Sequence, residues 1–284
     1  MKLIAVILTV FNRKDITLKG FHTFYKAVDH IGPEYKFDIY MTDDGCTDGT
    51  SEAVKEKYPN VHIIQGNGSL YWSGGMRVAW NEAIKLGIDY DYYLWINDDA
   101  DLYETSLSAI FKASNEMGDE SIISGAFCDN DGHTSYGGRT KDERIVDPVA
   151  GTYKPVYLMN GNLTLIPRRV FKKLGNIHPI YQHSMGDWDY GCRAIKAGFK
   201  VVITDQYVGR TGRHDKIIDT PFISGTNLTD RWRRLYSPFH YPKISWYFNK
   251  KHLGLRKALI TLFVEHTYVI FPSIAVLIRK IQHK

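Results

Sequence analysis

Cysteine is scarce in this 284-residue chain, which contains only Cys46, Cys128 and Cys192. The three lie far apart, without the paired spacing of a zinc site or a disulfide framework, so we expect a reducing compartment. The first fifteen residues hold only a short apolar run and no small-residue cleavage site. This pattern predicts a first strand rather than a signal peptide.

The chain also lacks the glycine motifs of two large nucleotide-binding classes. Neither GxGxxG nor GxxxxGK[ST] occurs, which disfavours NAD binding and P-loop hydrolysis. Residues 9–14 contain no glycine, whereas a sugar nucleotidyltransferase has a glycine-rich loop after its first strand, so that enzyme class is a weak alternative. The pair Gly74-Gly75 predicts close approach of a helix N-terminus to a ligand or a neighbouring strand.

Positive charge is concentrated at the C-terminal end. From Arg231 onward the chain has eleven Lys and Arg and one acidic residue, Glu265, a balance of +10. The residues before Arg231 have 25 basic and 30 acidic side chains, a balance of −5. The basic segment is also rich in aromatic residues and holds a mostly apolar run, Ala258–Ile278. This asymmetry favours an anionic partner, either membrane lipid or nucleic acid.

Strand and helix signals alternate through the first hundred residues. Continuous β-rich apolar runs predict strands, and apolar residues at helical spacing predict the segments between them. The expected strands are 3–10, 37–42, 61–65 and 92–96, and the expected helices are 15–29, 47–58 and 75–86. This alternation indicates right-handed βαβ crossovers and an α/β fold with a mainly parallel sheet flanked by helices.

The pattern is less regular after residue 100. The expected helices are 103–117 and 187–197, and the expected strands are 122–127 and 200–204, with a turn at 129–132. Residues 136–155 are rich in glycine, proline and charge, which predicts a mobile loop. There is no internal repeat and no low-complexity tract.

Carboxylates cluster where the predicted strands end. Asp43-Asp44-Gly45 follows the second strand, and three carboxylates in four positions, Asp98 to Asp101, follow the fourth. In an open parallel sheet, ligands bind at the carboxyl ends of the strands. Adjacent like charges disfavour ionisation, and Mg²⁺ or Mn²⁺ relieves that repulsion while also contacting phosphate. The alternative interpretation is a set of acidic turns that cap the following helices.

Five motifs occur in the order found in one enzyme family. They are Thr9–Arg13, Asp43–Gly45, Gly66–Met76, Asn97–Asp99 and Gly186–Asp189. In these motifs residues 1–215 resemble family 2 glycosyltransferases of the GT-A fold, in particular bacterial enzymes of capsule, O-antigen and rhamnose-polymer synthesis. The resemblance implies a Rossmann-like fold and an inverting transfer of a sugar from a UDP-, dTDP- or GDP-linked donor to an acceptor hydroxyl.

The resemblance also implies a metal site and a donor-binding set. Asp99 matches the metal-binding aspartate of the family's Asp-x-Asp motif, and His214 lies where many relatives have a histidine that completes the site. Asn97 stands at the first acidic position of that motif, a departure that leaves Asp98 or Asp101 to supply the charge. The expected donor-binding residues are Thr9, Phe11, Arg13, Asp43, Asp44, Gly45, Trp72, Gly75, Asn97 and Asp98.

Asp187 matches the catalytic base of the family, which takes the proton of the acceptor hydroxyl. Asp189 and Arg193 match the Asp and Arg that follow it, and together with Trp188 they are expected to contact the acceptor or support the base. Gly186 replaces the glutamate that usually precedes the base. Without the resemblance, Asp187 could equally be an acidic residue favoured at a helix N-terminus by the helix dipole.

The basic aromatic tail predicts a separate helical extension. The predicted domains are a catalytic domain over 1–225, with a nucleotide-binding half (1–100) and an acceptor-binding half (101–225), and a C-terminal extension over 226–284. Glu265 and Pro272 interrupt the apolar run, which favours a helix on an anionic membrane surface over a spanning one. A core helix or a homodimer interface is the alternative, and nothing else in the sequence favours nucleic acid.

Membrane docking fits a protein that works on a glycan or a lipid-linked glycan. We therefore expect it in the cytoplasm, peripheral at the inner face of the cell membrane. A non-enzymatic interpretation also stays open, in which a degenerate relative acts as a sugar-binding scaffold. Asn97 and Gly186, which stand where the family has acidic residues, are its only support.

Overall fold

One sheet with a hydrophobic core on each face organises most of the protein. The computed structural model describes residues 1–212 and 227–274. Its strands are β1 (Lys2–Val10), β2 (Tyr35–Asp43), β3 (His62–Gln65), β4 (Tyr92–Ile96), β5 (Asp101–Leu102), β6 (Ile122–Cys128), β7 (Thr134–Tyr136), β8 (Gly138–Arg139), β9 (Leu158–Met159), β10 (Leu163–Pro167) and β11 (Val201–Arg210). Its helices are α1 (Lys14–Ile31), α2 (Thr50–Lys57), α3 (Tyr71–Lys85), α4 (Ser106–Glu116), α5 (Arg168–Leu174), α6 (Gly186–Lys196), α7 (Leu228–Leu235), α8 (Pro242–His252) and α9 (Leu255–Ile270).

The main sheet is mixed but has a parallel half. Its strand order is β3-β2-β1-β4-β10-β6-β11-β5, and β7 pairs with β6. The first four strands are mutually parallel. β10 lies antiparallel between β4 and β6, which restores the original direction in β6 and in its parallel neighbour β11. Six of the nine strands therefore run the same way, as the sequence predicts.

Alternation along the strands distributes apolar side chains to both faces of the sheet. In β1, Ile4, Val6 and Leu8 enter one core, which α1, α2 and α4 cover. The intervening Ala5 and Ile7 enter the opposite core, which α3, α5 and α6 cover. Because both faces are covered, the central strands are apolar throughout, as is usual for parallel sheets in α/β proteins.

Several local predictions differ from the structure. The third helix begins at Tyr71 instead of Gly75, so Trp72 lies in its first turn. β10 and α5 lie in a stretch for which the sequence predicted no element. Part of the predicted mobile loop 136–155 is paired backbone, since β8 and β9 form a two-stranded sheet.

The chain divides into two compact units. The first contains residues 1–182 and 186–212, and the second contains residues 183–185 and the part of the chain after 212. The predicted boundary between residues 225 and 226 lies outside the described residues, so that division stays a prediction. No helix in the described ranges combines the length and apolar character that a bilayer crossing requires.

The second unit contains α7, α8 and α9. Asn227 caps α7 by accepting a hydrogen bond from the Asp230 amide at 2.8 Å. α8 and α9 pack together, with the Ser245 hydroxyl donating to Glu265 Oε1 at 2.8 Å. The Tyr236 hydroxyl lies 2.9 Å from His266 Nε2, which ties the segment after α7 to α9.

Candidate active site

The carboxyl ends of β1, β2 and β4 bring three of the sequence motifs to one edge of the sheet. Thr9 lies beside Thr42 and Val10 beside Asp43 in the parallel register of β1 and β2. β4 is the other neighbour of β1, and the Asn97–Asp99 motif follows directly after it. This is the edge at which open α/β sheets bind ligands.

Asp43 fixes the turn that follows β2. Its Oδ1 accepts from the Cys46 amide at 2.6 Å, and its Oδ2 accepts from the Ser51 hydroxyl and, at 3.4 Å, from Gln65 Nε2. Burial acts to raise the pKa of Asp43, but these hydrogen bonds outweigh it and hold the pKa below its usual value. The carboxylate is therefore ionised at neutral pH and engaged with the protein.

Asp44 holds the glycine-containing loop and the start of α3. Its Oδ1 accepts from the Gly68 amide at 3.0 Å, and its Oδ2 accepts from the amides of Leu70 and Tyr71, both at 2.9 Å. Leu70 occupies the N-cap position of α3 and has no side-chain oxygen to cap the helix. Asp44 thus performs, from the turn after β2, the capping that an N-terminal Asp or Ser would normally supply.

Gly75 lets α3 approach the end of β1. A β-carbon at this position would lie 2.1 Å from Thr9 Oγ1, a distance that real atoms do not adopt. The Gly75 carbonyl also accepts from the Thr42 hydroxyl at 2.8 Å. Of the two close approaches predicted for this glycine, the one to a neighbouring strand is present. Gly45, with φ of 85°, turns the chain beside Gly68.

Arg13 lies among the carboxylates that follow β4. Its Nη1 is 3.2 Å from Asp99 Oδ2 and 3.7 Å from Asp98 Oδ1. Asp98 is buried and also accepts from the Thr17 hydroxyl of α1 at 3.1 Å. Burial raises the pKa of Asp98 to about 6, although Arg13 opposes that shift. Asp98 therefore anchors α1, while Asp99 keeps one fifth of its side-chain surface exposed.

The remaining acidic residue of this motif is paired elsewhere. Asp101 Oδ2 lies 2.7 Å from Lys19 Nζ on α1. Asp99, which pairs with Arg13 and stays partly exposed, is the carboxylate that matches the metal-binding position implied by the resemblance, and Mg²⁺ commonly takes only one or two protein carboxylates beside substrate phosphates. The residues present fit such an ion. His214, the other predicted ligand, lies outside the described residues.

Trp72 spans the gap between the end of β4 and the segment before β10. Its Nε1 donates to Asn97 Oδ1 at 2.7 Å. Its six-membered ring lies against Gly161, where a β-carbon would come within 2.4 Å of Trp72 Cζ2. The Asn97 amide in turn donates to the Asn162 carbonyl at 3.0 Å. Asn97 therefore holds Trp72 through its side-chain oxygen and the segment before β10 through its backbone amide.

Asp187 lies in the first turn of α6, and the Gly161 backbone holds it. Its Oδ2 accepts from the Gly161 amide at 3.1 Å, and its Oδ1 accepts from the Trp188 amide at 2.9 Å. Burial raises the pKa of Asp187 to about 6, while these two amides act to lower it. A half-buried carboxylate with this pKa is ionised at neutral pH and basic enough to accept a proton.

A steric contact accounts for Gly186, which stands where the resemblance implies glutamate. A β-carbon at Gly186 would lie 2.3 Å from the Ser73 hydroxyl and 3.0 Å from the Ser73 β-carbon. With Ser73 opposite, α6 lies too close to α3 here for a side chain at position 186. The departure from the family pattern reflects helix packing, and it leaves Asp187 in place.

The residues that follow Asp187 are buried and support α6. Arg193 Nε donates to Asp189 Oδ2 at 2.8 Å, and the Tyr181 hydroxyl donates to Asp189 Oδ1 at 3.1 Å. Arg193 also donates to the carbonyls of Leu174 and Asn176. This buried ion pair is fully engaged with the protein, which favours the supporting role over acceptor contact for Asp189 and Arg193.

Gly161 is a site residue that sequence reasoning missed, because a single glycine outside a motif gives no signal.

Another cluster of potential metal ligands, Asp129, Asp131 and His133, lies in the turn between β6 and β7. There Asp129 Oδ1 accepts from the amides of Asp131 and His133. These hydrogen bonds account for the geometry of that turn. Phe11 is half exposed at the edge of the sheet.

Replacing Gly161 by Ala is expected to lower both stability and turnover. The new methyl group must displace the Trp72 ring or the amide that holds Asp187, and overpacking of this kind costs about 1–3 kcal/mol. Urea denaturation followed by tryptophan fluorescence measures the first effect, and kcat measures the second. Gly212→Ala is the matched control, since a β-carbon there meets no atom of the described residues within 4 Å. If the two variants have the same free energy of unfolding and the same kcat, close packing at Gly161 does not support the site.

Comparison with known proteins gives one family. The model of glycosyl transferase family 2 matches residues 5–179. A curated relative, the N-acetylglucosaminyl-diphospho-decaprenol L-rhamnosyltransferase of Mycobacterium tuberculosis, is 24% identical over 202 residues. That match covers 60% of this chain and 64% of the relative, so the chain spans less than two thirds of the relative's length.

Solved structures share the fold at low sequence identity. A mannosyltransferase from Pyrobaculum calidifontis, in complex with GDP-Man and Mn²⁺, superposes with a TM-score of 0.54 at 13% identity and covers 96% of this chain and 86% of its own. GalNAc-T7, with UDP, GalNAc and Mn²⁺, gives a TM-score of 0.55 at 12% identity and covers 83% and 47%. The predicted GT-A fold is confirmed, and the chain belongs to glycosyl transferase family 2.

Proposed function

We propose that this protein transfers one sugar, with inversion, from a UDP-, dTDP- or GDP-linked donor to a hydroxyl of a glycan or lipid-linked glycan. One observation carries the proposal. Asp187, a half-buried carboxylate, is joined through Gly161 and Trp72 to Asn97, and Asn97 adjoins Asp99 at the carboxyl end of β4. The proposed base, Asp187, and the proposed metal-binding carboxylate, Asp99, are therefore linked by one continuous chain of contacts.

The reaction follows from the roles of these groups. The acceptor oxygen attacks the anomeric carbon of the donor and forms the new glycosidic bond, while the bond from that carbon to the diphosphate breaks. Asp187 takes the proton of the acceptor hydroxyl, and the nucleoside diphosphate leaves with the electron pair. Arg13, which lies beside Asp99, contributes positive charge where negative charge develops on the diphosphate.

Asp99 is the residue that we propose as ligand to Mg²⁺ or Mn²⁺. When bound, the ion supplies positive charge that stabilises the departing diphosphate. The engagement of Asp98 with Thr17 and of Asp101 with Lys19 supports this choice. The donors present, one partly exposed carboxylate beside a site for phosphate, suit a cation that takes most of its other ligands from substrate and water.

The acceptor proposal rests on the curated relative, whose name gives a sugar diphosphate on a decaprenol chain as its acceptor. We take the same class for this chain, a glycan carried on a lipid diphosphate. Such an acceptor is anchored in a bilayer, which agrees with the basic, aromatic C-terminal segment. We accordingly place the protein in the cytoplasm, peripheral at the inner face of the cell membrane.

Donor binding tests this proposal. Calorimetry with a panel of UDP-, GDP- and dTDP-sugars is expected to find one nucleotide that binds more tightly with Mn²⁺, by the factor of about 5–150 usual for two coupled ligands. Asp99→Ala is expected to remove the metal-dependent part. Asp101→Ala is the matched control and should keep it, because Asp101 pairs with Lys19.

Two outcomes would overturn the proposal. If Asp99→Ala keeps the full Mn²⁺ effect, then Asp99 is not the metal ligand. If the folded wild-type protein binds no nucleotide sugar with or without Mn²⁺, the sugar-binding scaffold becomes the better interpretation. If a donor does bind, release of nucleoside diphosphate in the presence of an N-acetylglucosaminyl diphosphate lipid tests turnover directly.

A further inference from the structure

Helix α9 is apolar on both of its faces. Its buried face packs inside the second unit through Ala258 and Val269, which are fully buried. On its exposed side Leu255, Leu259 and Phe263 follow one another at spacings of four, and Phe263 is 73% exposed. A surface helix normally turns polar side chains toward water, so large apolar side chains on the exposed side of α9 are unusual.

The exposed surface continues beyond these three residues. Seven large apolar side chains from α9 and the four residues after it are each at least 42% exposed. They are Leu255, Leu259, Ile260, Phe263, Ile270, Phe271 and Ile274. We call this set the α9 face. Contiguous exposed apolar surface of this kind marks an interaction site in a soluble unit.

Positive charge lies at the N-terminal end of the α9 face. Arg256 and Lys257 lie in the first turn of α9, and both are exposed. Arg256 stands one turn before Ile260 and two turns before Phe263, and therefore on the same side of the helix. Residues 227–274 hold eight basic side chains and two acidic ones.

The two acidic side chains do not offset this charge at the α9 face. Glu265 projects from the opposite side of α9 toward α8, where it accepts a hydrogen bond from Ser245. Burial raises the pKa of Glu265 to about 7, so its negative charge is only partial at neutral pH. Asp230 lies on α7 and is 3.4 Å from Arg233. Within residues 227–274, the charged side chains nearest in sequence to the first exposed apolar residues of α9 are therefore basic.

These features discriminate between possible occupants. A second copy placed on this face would bring two strongly basic segments together, and like charges in an interface are unfavourable. An anionic lipid surface satisfies both features at once, because apolar side chains enter the boundary between headgroups and acyl chains while Lys and Arg remain beside the phosphates.

We propose that the α9 face docks on an anionic phospholipid bilayer, with Leu255, Leu259 and Phe263 inserted and Arg256 and Lys257 at the headgroups. The docking itself requires no activity. Its purpose rests on the proposed function, since it brings the enzyme to the membrane in which a lipid-linked acceptor resides.

Cosedimentation with vesicles tests the docking. The full chain is expected to sediment with vesicles that contain phosphatidylglycerol and to remain in solution with phosphatidylcholine alone. Leu259→Asp should lower the affinity by about tenfold or more, because it removes an inserted leucine and adds a negative charge. Leu86→Asp is the matched control, since Leu86 follows α3 and is exposed to nearly the same degree, 50% against 52% for Leu259.

Charge reversal tests the second feature. Arg256→Glu combined with Lys257→Glu should weaken binding by about thirtyfold or more, given the contribution of each basic residue near an anionic surface. Reversal of the adjacent pair Lys172 and Lys173 on α5, both exposed, should leave binding unchanged. Circular dichroism and urea denaturation of each variant show that it is folded, so the vesicle result does not depend on donor binding or on turnover.

Three results would overturn the assignment. If the wild-type protein does not sediment with phosphatidylglycerol vesicles, the α9 face does not dock on anionic lipid. Equal binding to both kinds of vesicle would remove the role of charge. A dimer in light scattering that Leu259→Asp dissociates and Leu86→Asp does not would assign the α9 face to a second copy of the chain.

Discussion

Replacing Asp187 by Asn is expected to lower kcat for sugar transfer by about 10²–10⁴, the usual contribution of a positioned general base. The amide keeps the size of the carboxylate and can still accept from the Gly161 amide, but it cannot take the proton of the acceptor. Donor affinity should not change, because the residue acts on the acceptor. Release of nucleoside diphosphate gives kcat, and calorimetry gives donor affinity.

The pH profile supplies an independent readout of the same residue. The pKa of Asp187 is raised to about 6 by burial, and the base is active only when ionised. Activity should therefore be full above this pH, and kcat/KM should fall about tenfold per pH unit below it. The residual activity of Asp187→Asn should lack this acidic limb.

An exposed carboxylate on α1 provides the control for this substitution. Asp29→Asn on α1 removes a charge from the same unit at an exposed position and should leave both kcat and the pH profile unchanged. If Asp187→Asn retains wild-type turnover, Asp187 is an acidic residue at a helix N-terminus and nothing more. Loss of donor affinity in Asp187→Asn would instead indicate disruption of the framework that includes Trp72.

Replacing Asp44 by Ala is expected to cause the largest loss of stability at the site, about 3 kcal/mol or more. Asp44 is 4% exposed, and its removal leaves the amides of Gly68, Leu70 and Tyr71 without their acceptor, each at a cost of about 1–3 kcal/mol unless water reaches it. The start of α3 also loses its cap. Urea denaturation measures the free energy of unfolding.

Asp48→Ala is the matched control for this effect. Asp48 also accepts several hydrogen bonds, from the amides of Lys14 and Thr50 and from the Thr50 hydroxyl. It is exposed, so water can replace it, and the loss should be much smaller. If the two variants unfold at the same urea concentration, the hydrogen bonds of the buried Asp44 do not stabilise the protein more than those of the exposed Asp48.

The sequence predicts the first half of the sheet because its signals are local. Apolar runs and the helices between them repeat regularly up to β4, whose predicted and observed bounds coincide at residues 92–96. The carboxylate motifs then fall at the carboxyl edge of the sheet, because parallel strands end there together. For the same reason the positions of Asp43 and Asp99 relative to the sheet could be predicted before the structure.

Features that depend on distant contacts could not be predicted. β10 is a short apolar strand whose antiparallel insertion between β4 and β6 has no sequence signature. The contacts of Trp72 with Asn97 and of Gly161 with Asp187 join residues about 25 positions apart, with helical and strand residues between the members of each pair. Asp44 caps a helix to which it does not belong, so no capping pattern in the sequence of α3 reveals it.

The contact between Gly186 and Ser73 has a consequence for the divergence of this enzyme from its relatives. Any homologue that carries a side chain at the position of Gly186 must have a smaller residue opposite it, or a wider separation of the two helices. The two positions should therefore covary across homologues, as residues in contact do. A lineage that acquires glutamate at the position of Gly186 would have to change α3 first, so the order of the two substitutions is constrained by packing.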